Sequence, residues 1–140
     1  MRCGVEVWGY AVVNERNIFL LDAAGALLSV VLLGVVVPAC NQWIGMPIGT
    51  LYFLAALPVL FGLYDVACFY FADLDRPLWL RLIMGANLGY CALTIALMVA
   101  HADVLKPLGF AYFIAEQPVL IGLVAFQYRI DRRRPSRAAM

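Results

Sequence analysis

Asp22, Asp65 and Glu116 are carboxyl groups set inside long apolar runs, and Asn87 and Tyr90 lie within another such run. Buried carboxyl groups can take up and release protons, bind cations, or pair with a base supplied from elsewhere. A carboxylate left in hydrocarbon with none of these costs too much to persist. The one basic side chain near them is Arg81, at the start of its run, and it is the candidate charge partner. Three acids against one base leave a balance that protons, a bound cation or a partner protein's basic residue must make up. A purely structural role competes with this reading, since polar side chains join membrane helices at roughly 0.5–2 kcal/mol per hydrogen bond. That alternative is strongest for Asn87, Tyr90 and Thr94, because a neutral side chain bridges two helices without needing a counter-charge.

The segments that must position these residues are four apolar runs, at about 18–39, 51–72, 80–100 and 109–128. The chain has 140 residues, 65% hydrophobic and 14% charged, where soluble domains carry about a quarter charged residues. The first run, from Ile18 to Ala39, would reach ~33 Å as a helix, enough to cross a hydrocarbon core of ~30 Å with slight tilt. The expected fold is therefore all-α: one polytopic membrane domain over 17–128, a four-transmembrane-helix bundle. It is flanked by an N-terminal segment at 1–16 and a basic tail at 129–140.

Helical spacing puts the polar residues on definite faces. Asp22, Gly25, Ala26 and Ser29 share a stripe, as do Gly62, Asp65 and Cys68; Asn87, Tyr90, Cys91 and Thr94; and Tyr112, Glu116, Leu120 and Gln127. Four such faces belong inside a bundle, because polar groups turned to lipid would cost several kcal/mol each. Counted from the boundary nearest the chain termini, Asp22, Asp65 and Asn87 lie at a similar shallow depth, and Glu116 lies nearer the midplane. Gly85 and Gly89 form a GxxxG pair, a weak sign of close helix packing.

Charge sets the orientation. Of the 10 Lys and Arg residues, all but Lys106 fall on the face shared by the N-terminus, the second connection and the C-terminus, at Arg2, Arg16, Arg76, Arg81, Arg129, Arg132, Arg133, Arg134 and Arg137. Under the positive-inside rule both termini are cytoplasmic. The Arg-rich tail is short and has no folded module around it, so nucleic acid is not an expected partner. His101 is the only histidine, and the four cysteines form no CxxC pattern. No metal site and no cofactor are expected. No nucleophile and base pair is visible, so the chain does not read as an enzyme.

The runs FLLDAAGALLS, GMPIGTLYFLA, GLYDVACFYF, RPLWLRLIMGANLGYC and LGFAYFIAE resemble a family of small four-span bacterial integral membrane proteins of uncharacterised activity. The resemblance covers about 17–128. It includes Asp22, Gly25, the turn from Gly45 to Pro47, Tyr64 with Asp65 and Cys68, Arg81, Asn87 with Tyr90 and Cys91, and Glu116. It implies a multi-pass protein of the bacterial cytoplasmic (inner) membrane, and it brings no activity with it.

Two functions follow as expectations. One is binding or movement of a proton, a cation or a small polar ligand through an acidic intramembrane site of Asp22, Asp65, Asn87, Tyr90 and Glu116. The other is a non-catalytic interaction, assembly or regulatory subunit whose acids pair with another membrane protein. Expected partners are the lipid bilayer and either a second copy of the chain or another membrane protein.

Overall fold

The computed structural model describes residues 15–71 and 78–133, and 91% of these residues are helical. Helix α1 (Glu15–Val31) continues through a π-helical turn at Leu32–Val36 into a short α2 (Val37–Ala39), and one further turn, α3 (Asn41–Ile44), follows. Three long helices complete the fold: α4 (Ile48–Phe71), α5 (Leu78–Ala100) and α6 (Pro107–Arg133). Taking α1 to α2 as one rod, four helices are long and apolar enough to cross a membrane. The described residues are thus all-α, and the length and composition of their four long helices are those of a multi-pass membrane protein.

The helices pair in chain order. The α1 rod packs along α4, and α5 packs along α6, while contact between the two pairs is sparser. Small residues set the first pairing: a Cβ at Gly62 would lie 3.5 Å from the Ala26 methyl group, and one at Gly34 would lie 3.9 Å from that of Ala55. The GxxxG pair has no such role within the chain, since a Cβ at Gly85 or Gly89 would meet nothing within 4 Å.

Pro38 explains the π-turn. A proline has no N–H to give the carbonyl four residues back, and its ring crowds that carbonyl, so the helix widens just before it. Pro58 in α4 and Pro118 in α6 are accommodated within unbroken helices.

At the end of the bundle opposite the termini, the two described connections clasp each other. The Lys106 backbone N–H donates to the Ile44 carbonyl at 2.8 Å, and the Lys106 ammonium donates to the Gln42 carbonyl. Gly45 ends α3 with a φ of 82° and seats its backbone against the Val104 carbonyl. Gly109, in the first turn of α6, also approaches the Ile44 carbonyl closely: a Cβ there would lie 2.6 Å from it.

Apolar residues collect in two places. A large cluster at the clasp end includes Leu33, Leu51, Leu54, Met98 and Phe113, and a smaller one near the termini is built from Ile18, Phe19, Cys68, Leu80 and Ile83.

Some boundaries differ from those expected. The first helix begins at Glu15, inside the expected 1–16 segment, and the fourth spans Pro107–Arg133 rather than 109–128. Arg129 to Arg133 therefore extend the helix and are not tail, because their long side chains suit a helix and favour its C-terminal end. The rest of the N-terminal segment, the connection bearing Arg76, and the tail from Arg134 onward lie outside the described residues.

Candidate functional site

The polar layer near the termini is built from one side chain on each rod. On α1, Asp22 stands one turn after Ile18 and Phe19 of the smaller apolar cluster. On α4, Asp65 precedes Cys68 of the same cluster by about a turn. On α5, Asn87 follows Ile83 by one turn, and on α6, Gln127 completes the ring. Apolar neighbours at helical spacing pull these faces inward, and the polar groups are carried into the core with them. All four residues are buried, Asp65 and Gln127 completely.

Asp22 is the acceptor at the centre. The Asn87 side-chain amide donates to both of its oxygens, at 3.3 Å to Oδ1 and 3.1 Å to Oδ2, and the Gln127 amide donates to Oδ2 at 3.1 Å. The Asp65 carboxyl lies close enough to interact with that of Asp22. Yet neither of its oxygens receives a hydrogen bond from the described residues. Two carboxylates are both acceptors only, so this contact becomes attractive when a proton sits between them.

A second polar group lies about two turns deeper. Both carboxyl oxygens of Glu116 are buried, and they face the Tyr90 hydroxyl near enough to interact but without closing a hydrogen bond. The Tyr90 hydroxyl and the Thr94 hydroxyl are themselves buried with no partner among the described residues. Phe61 meets the Tyr90 ring edge to face, with centroids 6.2 Å apart.

A cavity of about 270 Å³ joins the two groups. Asp22 and Asn87 line one part of it, and Tyr90, Tyr112 and Glu116 line another, with Ser29 and Pro58 between apolar walls. Among the described residues, no Lys, Arg or His lines it. Both apolar clusters pack against Phe61, one of its lining residues. Its open side lies between α1 and α6, where the lining residues Leu28 and Val119 are 60% and 71% exposed.

The structure brings Asp22, Asp65 and Asn87 together and places Tyr90 beside Glu116 as a separate group on the same cavity. The expected charge partner is corrected. Arg81 does not reach the buried acids but pairs with Asp131 on α6, Nε to Oδ2 at 3.0 Å. Its position one turn into α5 leaves the side chain 63% exposed, and the last turns of α6 bring a carboxylate within reach there. The residue missing from the expected site is Gln127. Its signal was present in the sequence, since Gln127 follows Glu116 by about three helical turns on the same face of α6.

Comparison with protein-family models, with curated proteins and with solved structures yields no match.

Proposed function

We propose that this chain is a bacterial inner-membrane protein, with both termini in the cytoplasm, that binds or moves a proton, a cation or a small polar ligand through its buried acids. The observation that carries the reading is the cavity that joins Asp22 to Glu116 with no basic residue on its lining among the described residues. A site of that composition attracts positive charge and rejects negative charge, and apolar walls strengthen the selection by lowering the local dielectric. A purely structural polar layer would close all its own hydrogen bonds, as buried polar groups usually do. Here the carboxyls of Asp65 and Glu116 and the hydroxyls of Tyr90 and Thr94 keep bonding capacity unused among the described residues.

Glu116 is the residue assigned the transient proton or cation, because it lines the cavity and its oxygens accept no closed hydrogen bond from the described residues. In proteoliposomes, Glu116→Gln is expected to lower proton or alkali-cation flux at least tenfold while leaving the melting temperature close to that of the wild type. Flux equal in the two proteins, or equal to that of empty liposomes, counts against the reading.

The orientation is expected from the basic residues: of those among the described residues, Arg16, Arg81, Arg129, Arg132 and Arg133 fall at one end of the bundle and Lys106 at the other. A reporter active only in the cytoplasm should work when fused after Met140. Activity of a periplasm-only reporter at that position would reverse the assignment.

A further inference from the structure

We propose that the cavity takes a membrane-soluble organic cation, with its ammonium head between Glu116 and the aromatic rings beside it, entering sideways from the hydrocarbon between α1 and α6. The inference rests on the reading of the acids as a ligand site and names the class of ligand.

Four observations meet here. The first is the wall: Phe61, Tyr90 and Tyr112 line the same space as the Glu116 carboxyl. Aromatic faces attract quaternary ammonium groups through the ring quadrupole, and an adjacent carboxylate adds direct charge attraction. The second is an orphan: Tyr90 is 4% exposed, lines the cavity, and its hydroxyl has no partner among the described residues. A buried polar group left in that state is one a ligand can satisfy.

The third is the route. Toward the termini lies the cluster of Ile18, Phe19, Leu80 and Ile83 and toward the clasp that of Leu33, Leu51 and Phe113, both packed against Phe61 of the cavity wall. The side between α1 and α6 is open, and those two rods pack only weakly on each other. A small inorganic ion, which must stay hydrated until it reaches its ligands, gains nothing from a lipid-side door. An amphiphilic cation already dissolved in the bilayer does. The fourth is size. About 270 Å³ stands near the lower end of small-molecule pockets, at roughly 300–1,000 Å³. That is room for a compact organic ion and too little for a whole phospholipid.

The test uses the full chain in nanodiscs with radiolabelled benzyltrimethylammonium, and empty nanodiscs give the baseline. Competitors are neopentylbenzene, its neutral carbon isostere, and benzylsulfonate, an anion of similar size. Saturable binding that neither competitor displaces is expected. Glu116→Gln should weaken it at least tenfold, and Val119→Trp, at the open side one turn beyond Glu116, should slow association severalfold. Equal competition by neopentylbenzene would make the cavity a merely apolar one and overturn the proposal. So would the absence of saturable binding, or an association rate unchanged by Val119→Trp. If Glu116→Gln does not fold, the comparison of cation with isostere on the wild type still decides. Loss of organic-cation binding alongside intact, Glu116-dependent proton or alkali-cation flux removes this inference and leaves the broader reading standing. Failure of both removes both.

Discussion

Replacing Asp22 by alanine is expected to destabilise the bundle by roughly 2 to 6 kcal/mol, because it orphans two buried amide donors at about 1–3 kcal/mol each. Asn87 loses both of its bonds to the carboxyl group, and Gln127 loses the one its side-chain amide makes to Asp22. Neither amide can turn to solvent, since Asn87 is 4% exposed and Gln127 is fully buried. The contrasting change is Asp65→Asn. Asparagine keeps the shape of a protonated aspartic acid and offers the Asp22 carboxylate an N–H, so it should cost less than about 1 kcal/mol. Unfolding in mixed micelles would measure both, and infrared spectra would follow the shared proton as a carboxylic-acid carbonyl band lost in Asp65→Asn. A cost for Asp22→Ala near 0.6 kcal/mol, about the average for a hydrogen bond between membrane helices, would show that the amides find other partners. In that case the layer is not a fixed unit.

Gly45→Ala carries the other large effect, at the opposite end of the molecule. Gly45 has a φ of 82°, and a non-glycine residue held in such a region costs about 1–3 kcal/mol from backbone strain alone. The new methyl group would also collide with the Val104 carbonyl, which is backbone and cannot swing aside. The connection carrying residue 104 must then move, and with it the Lys106 N–H that holds the Ile44 carbonyl. Thermal unfolding should show a clear fall in melting temperature for Gly45→Ala, whereas Gly25→Ala, where a Cβ meets nothing within 4 Å, should change little. Equal melting of the two variants would mean that the clasp contributes nothing to stability.

The four rods could be read from apolar runs alone, because each is long enough to cross a bilayer and is bounded by charge, Gly or Pro. Depth and face within each run could be read as well. Asp22 near the start of one helix and Asp65 near the end of the next, antiparallel helix fall at one level by counting residues. Partnership was harder. Arg81 shares a helix with Asn87, and nothing in the order of residues says that its guanidinium stays outside and meets Asp131, 50 residues further along the chain. Gln127 sits where a polar side chain could equally well face the membrane boundary, and only the packing of α6 carries its amide to Asp22. The lateral opening could not be read at all. It depends on which rods pack tightly and which lean apart, and such a choice arises from Ala26 against Gly62 and Gly34 against Ala55 rather than from any local pattern.

The pairing of rods in chain order also bears on how the protein is made. The first hairpin, α1 with α4, carries both acids of the polar layer, and the second, α5 with α6, carries both amides. Each hairpin holds half of a matched set. Asp22 and Asp65 lie together within the first hairpin, and a proton between them lowers the charge of the pair from two negative units to one. Asn87 and Gln127 acquire their acceptor only when the second hairpin arrives, so the bonds to Asp22 reward assembly and not insertion. During synthesis the half that can wait emerges first, and the half that supplies the donors follows and locks it.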